Sequence, residues 1–118
     1  TDHVAKGKMK KIITISSIMG SISKIDSGGE YIYRSSKAAL NMVMRSYANT
    51  ITTREFIVAM FHPGWVKTDM GGPGAAIDVK TSVTGLRKAI AGLGIADSGC
   101  FFTTMESRCL GRRDYYAT

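Results

Sequence analysis

The sequence is poor in residues that staple or interrupt a chain. Its 118 residues include two cysteines, Cys100 and Cys109, and two prolines, Pro63 and Pro73. Two cysteines are too few for the disulfide framework of a small secreted domain, and no second Cys/His pair stands at zinc spacing. Both are therefore expected as plain thiols in a reducing compartment. The two histidines, His3 and His62, are too scattered to suggest a metal site. No run of about 18 uncharged apolar residues occurs, which argues against a helical membrane span and against a membrane partner. No apolar signal region follows Thr1, so a cytoplasmic location is expected.

Acidic residues are also scarce: 9 Asp+Glu against 16 Lys+Arg give a net charge of +7. Such an excess invites a nucleic-acid reading. Its distribution speaks against one. Lys6, Lys8, Lys10 and Lys11 cluster ahead of an apolar run, Arg108, Arg112 and Arg113 lie near the C-terminus, and the rest are dispersed. No basic stripe is interleaved with aromatics. The charge reads as solvated surface, and no nucleic-acid partner is expected.

What is present is a globular pattern. Hydrophobic residues make up 44% of the chain and are spread along it, enough for one modest core. Ile12-Ile13-Thr14-Ile15 is a β-branched run that predicts a buried strand, ended by Ser16-Ser17-Ile18-Met19-Gly20. A polar, Gly-bearing loop follows to about Gly29. Ser27 and Glu30 stand at capping-box spacing and predict a helix start there. Tyr31 to Thr50 holds neither Pro nor Gly, and its apolar residues cover most of the helical circumference. Such a helix is expected to be covered on two sides, by its own sheet and by a partner subunit.

Phe56–Phe61 predicts a second buried strand, broken by His62-Pro63-Gly64. Asp78 to about Leu93 predicts a second helix, with Val79, Val83, Leu86, Ala89, Ile90 and Leu93 at helical spacing. Cys100-Phe101-Phe102 predicts a third strand. Continuous strands joined by helical crossovers imply an α/β fold with a parallel sheet covered on both faces. Three strands and two helices look like the C-terminal portion of a larger doubly wound, Rossmann-like sheet.

Tyr33 and Lys37 stand at i, i+4 and share one helix face near its N-terminus. A free phenol has a pKa of about 10. A neighbouring ammonium and the positive end of a helix both favour phenolate. A phenol so tuned can exchange a proton with an alcohol or carbonyl oxygen. Ser17, at the end of the preceding strand, could hold that oxygen. In a parallel sheet the carboxyl ends of the strands are where ligands bind. Taken alone the Tyr-x-x-x-Lys spacing is weak, since a core tyrosine and a surface lysine give it by chance.

The wider wording is specific. Ile12 to Gly20, then Tyr33-Arg34-Ser35-Ser36-Lys37-Ala38-Ala39-Leu40-Asn41, then His62-Pro63-Gly64-Trp65-Val66-Lys67-Thr68-Asp69-Met70 resembles the short-chain dehydrogenase/reductase family in order and spacing. Within it, the sequence is most similar to the C-factor and sniffer-type carbonyl reductase branch. The resemblance covers about residues 8–102. It implies carbonyl/alcohol interconversion with NAD or NADP on a small substrate. It makes Tyr33 the general acid/base, Lys37 the residue that binds the nicotinamide ribose, and Ser17 the substrate-positioning hydroxyl. Tyr33 and Lys37, with Pro63, Gly64, Val66 and Thr68, become the cofactor-binding residues. Ser17 could instead only cap a strand end, and Thr68 and Asp69 a short helix. Trp65 and Met70 read as pocket wall, and Arg34 as a solvated or interface charge.

Two departures from the family shape the expectations. No Gly-rich turn joins a strand to a helix, because Gly71-Gly72-Pro73-Gly74 lacks that spacing. Residues 1–102 are therefore expected to be the C-terminal part of the domain, without the dinucleotide-binding half and inactive alone. Residues 103–118 form a divergent tail, expected to be disordered. Codon degeneracy allows Thr103–Gly111 to be read in another frame as Tyr-Asp-Gly-Lys and onward, the ending usual in this branch, so a frameshift is one origin for the tail. The Tyr31–Thr50 helix is the expected surface for a homo-oligomer or for association with a full-length homologue. A non-catalytic signalling or docking fragment is the alternative function.

Overall fold

The computed structural model describes residues 1–51, 55–103 and 106–110. A short helix α1 (Asp2–Ala5) leads into strand β1 (Lys11–Ile15). Two 3-10 turns, Ile18–Gly20 and Ile22–Lys24, precede helix α2 (Tyr31–Thr50). Strand β2 (Ile57–His62), helix α3 (Val79–Ala91), strand β3 (Cys100–Thr103) and strand β4 (Glu106–Leu110) complete the order. The sheet runs β1-β2-β3-β4. β1 pairs with β2 and β2 with β3 in parallel, and β3 pairs with β4 antiparallel. This is the expected α/β fold with a predominantly parallel sheet.

Alternation along the strands sends side chains to opposite faces. Val58 buries one face against Ala48 and Ile51 at the end of α2, with Ile12, Met44 and Tyr47 beside them. Ala59, Phe61 and Phe102 bury the other face, against Leu86, Ala89 and Ile90 of α3. The rings of Phe61 and Phe102 stack at 5.2 Å. A strand with both faces covered must be apolar throughout, which is why β2 reads as a continuous run rather than an alternation.

The helix boundaries have local causes. Asp78 accepts the Thr81 N–H at 2.7 Å and caps α3. That bond holds its carboxyl below the usual carboxylate range. At the other end Lys11 Nζ donates to the carbonyls of Ile90 and Ala91, at 2.7 and 3.3 Å, satisfying acceptors that a helix end leaves open. The start of α2 differs from the expected capping box. Its N-cap is Glu30, left-handed at φ 54° and making no side-chain cap, while Ser27 Oγ accepts from Arg34 Nη2 at 3.3 Å. Arg34 is thus tied to the loop by an exposed hydrogen bond.

Two further expectations are corrected. Cys100 and Cys109 are not thiols: they form a disulfide, with Cα atoms 5.3 Å apart. A count of cysteines misses this, because the β3–β4 hairpin brings the pair together. Within the tail expected to be disordered, Glu106–Leu110 is a strand. Residues 111–118 lie outside the described residues.

Gly20 shows the tightest backbone approach between the β1 end and α2. A Cβ there would lie 2.6 Å from the Lys37 carbonyl carbon and 2.8 Å from Ala38 N. Gly20→Val should cost about 1–3 kcal/mol of stability in urea unfolding, whereas Gly28→Ala, with no atom nearby, should stay within about 0.5 kcal/mol. Alkylation of the unreduced chain should leave its mass unchanged, and alkylation after reduction should add two adducts.

Candidate active site

A cleft of about 680 Å³ opens beyond the carboxyl ends of β1 and β2. Ser16, Ser17 and Met19 line it from the first strand end, Tyr33 from the start of α2, and His62, Pro63, Gly64, Trp65, Val66 and Thr68 from the second strand end. Val79, Ser82, Val83 and Leu86 of α3 close the far side. The structure therefore brings Ser17, Tyr33, Pro63, Gly64, Val66 and Thr68 to one cleft. Lys37 does not line it. Its Nζ lies 5.7 Å from the centroid of the Tyr33 ring, over which it is positioned.

Ser17 is 6% exposed and caps the following 3-10 turn. Its Oγ accepts the Met19 N–H at 3.2 Å. That bond uses a lone pair and leaves the hydroxyl proton free to donate. The capping alternative and the site reading are compatible at this residue.

The loop after β2 is held by several short contacts. Gly64 has φ 88°, a left-handed conformation that turns the chain sharply after Pro63. Ser82 Oγ, buried in α3, donates to the Pro63 carbonyl at 2.7 Å. Trp65 Nε1 donates to the Gly71 carbonyl at 2.8 Å, and the Gly71 N–H to Thr68 Oγ1 at 3.0 Å. Val66 bridges Ile77, with the Lys67 N–H bonded to the Ile77 carbonyl. Thr68 thus closes a turn of its own loop rather than capping a helix.

Sequence reasoning missed Ser16, His62, Ser82 and the N-terminal turns of α3. Val79 and Val83, at helical spacing with Leu86 and Ile90, are 49% and 46% exposed and face the cleft. Their periodicity marked the correct face, but the sheet ends before their turns. His62 is half-buried and its Nδ1 is enclosed without a hydrogen-bond partner among the described residues. Burial pushes its pKa below the ordinary imidazole value. A proton therefore binds the unfolded chain more readily than the folded one. Stability should be full above about pH 6.5, the unfolded value, and fall as the pH drops from there through the folded value. Thermal unfolding between pH 7.5 and 5.0 should show this slope, and His62→Asn should flatten it.

Comparison with known proteins places this geometry. A family model described as short chain dehydrogenase matches residues 1–76. The C-signal protein of Myxococcus xanthus is 43% identical over 97 residues, covering 82% of this chain and 58% of that protein. A 1-hydroxy-2-glutathionyl-2-methyl-3-butene dehydrogenase of Rhodococcus sp. (strain AD45) is 36% identical over 77% of this chain and 42% of its own length. Among solved structures, the carbonyl reductase Sniffer of D. melanogaster superposes with a TM-score of 0.80 at 40% identity, over 84% of this chain and 40% of that one. The NADPH-bound carbonyl reductase from chicken fatty liver gives 0.76 at 38% identity, over 85% and 42%. The chain thus spans about two fifths to three fifths of the length of these relatives. Because the family match runs over residues 1–76, which hold Ser17, Tyr33 and the loop after β2 that line the cleft, the chain belongs to the short-chain dehydrogenase family.

Proposed function

We propose that this chain carries the proton-transfer part of a nicotinamide-dependent oxidoreductase that interconverts a small carbonyl compound and its alcohol. The observation that carries the reading is the shared cleft of Ser17 and Tyr33, with the Lys37 ammonium over the Tyr33 ring. Ser17 donates its free hydroxyl proton to the substrate oxygen and fixes it. Tyr33 delivers a proton to that oxygen in reduction and removes it in oxidation. The positive charge of Lys37 stabilises the phenolate left behind.

NAD or NADP, when bound, supplies or accepts the hydride. The residues present suit its nicotinamide end. Pro63, Gly64, Val66 and Thr68 form a narrow, largely apolar wall on which a flat ring can lie. On this reading Tyr33, from the cleft, and Lys37, beside its ring, would hold the ribose. On this reading the pyrophosphate would be held by other residues, because Gly71-Gly72-Pro73-Gly74 follows a loop rather than a strand. Turnover on this reading requires a dinucleotide-binding half in addition to the residues here. It also requires a compartment supplied with the cofactor, for which the cytoplasm is our reading; the Cys100–Cys109 disulfide removes the thiol argument for it. Among the described residues no helix is long and apolar enough to cross a membrane.

A second reading, a non-catalytic signalling or docking fragment, is favoured by one observation. α2 leaves Ile32, Met42 and Val43 at 87%, 57% and 61% exposed. Side chains of this kind on one helix suit a second copy or a homologue. The two readings separate in one experiment. The purified chain with NADH or NADPH and a small aldehyde should show no turnover. Addition of a dinucleotide-binding half from a relative should produce it, and Tyr33→Phe should then lower kcat by about 10²–10⁴-fold. Turnover by the chain alone would refute the need for the second half. An unchanged rate in Tyr33→Phe would refute the catalytic reading and leave docking.

A further inference from the structure

Tyr33, Lys37 and Asn41 stand at i, i+4 and i+8, so one face of α2 carries all three. That face is pinned to the end of β1 at two successive turns. Backbone at Lys37–Ala38 meets Gly20, where a Cβ has no room. One turn further, Ser16 Oγ donates to Asn41 Oδ1 at 2.6 Å, and the two residues are 4% and 5% exposed.

An amide at a buried helix position is not explained by packing, since a leucine would fill similar space without desolvation. What a short buried hydrogen bond adds is direction: its geometry tolerates little drift in distance or angle. Here it ties α2 to the residue immediately before Ser17. Backbone from Ser16 to Ser17, helix from Asn41 back to Tyr33, and the Gly20 contact between them form a closed frame. The side chains of Ser17 and Tyr33 project from that frame into the cleft.

We propose that Ser16 and Asn41 are a positioning pair that sets the Tyr33 phenol and the Lys37 ammonium against the Ser17 hydroxyl, a role that rests on the carbonyl-reduction reading above. Neither residue exchanges a proton. The pair holds the helix rotation and height at which the proton-transfer groups of α2 face the oxygen that Ser17 holds. Breaking it leaves the core intact, because the Val58 cluster at the far end of α2 fixes the helix independently. The loss is alignment at the N-terminal turns.

The test uses the intact chain with ¹³C-labelled tyrosine, observed by aromatic NMR, with Tyr33 assigned through Tyr33→Phe. Tyr47 is on the same helix but packs in the Val58 cluster, so it reports general loosening. Asn41→Leu and Ser16→Ala should displace the Tyr33 ring signals and leave those of Tyr47 in place. Ser16→Thr, which keeps the hydroxyl, should restore the Tyr33 positions. In the assembly supplied with a dinucleotide-binding half, the first two variants should lower kcat by roughly tenfold or more with the carbonyl KM little changed. Tyr33 signals that stay put in both variants would overturn the proposal, as would Tyr33 and Tyr47 moving together. Ser16→Ala covers the case in which Asn41→Leu fails to fold. The spectral readout needs no turnover, so an inactive assembly would remove the oxidoreductase reading without deciding this one.

Discussion

A missing side chain holds this site together. At Gly20 the backbone of a 3-10 turn lies directly against the backbone of α2 at Lys37 and Ala38, closer than any Cβ would permit. Two consequences follow from that contact. α2 starts beside the end of β1 rather than a side chain's width away, so Tyr33 and Ser17 reach one cleft. Asn41 also comes within a short hydrogen bond of Ser16. Burial of those two polar groups is tolerated because each satisfies the other.

The opposite wall is assembled differently. The loop after β2 has no regular structure of its own, and its shape comes from many small closures. Gly64 turns the chain, Thr68 and Trp65 each bond toward Gly71, and Ser82 reaches from α3 to the Pro63 carbonyl. Loops placed in this way over a rigid sheet are common sites of function, since the scaffold supplies position and the loop supplies chemistry. One side of the cleft is therefore a helix clamped to a strand end, and the other a loop clasped by α3. Tyr33 and Lys37 belong to the clamped side.

Much of this is legible in the sequence. The β-branched run at 12–15, the apolar run at 56–61, and the Pro- and Gly-free stretch at 31–50 correspond to β1, β2 and α2 within a residue or so. Asp78 announced the start of α3 through its side chain. The wording around Tyr33 and Pro63 marked the family. The misses share a cause. Ser27 and Glu30 had the spacing of a capping box, but Glu30 adopts a left-handed conformation and Ser27 accepts from Arg34 instead. Cys100 and Cys109 were read by number, whereas a hairpin decides their fate by proximity.

Local chemistry written in the chain determined the elements, their order and which side chains share a helix face, because periodicity, turn residues and i, i+4 spacing act over a few residues. Tertiary structure alone decided that Ser16 would find Asn41 and Cys100 would find Cys109. It also decided that Val79 and Val83 would face a cleft, and that His62 Nδ1 would be enclosed. Such pairings depend on how strands register and how closely two backbones approach, and those distances are set by the whole packed sheet rather than by any one segment.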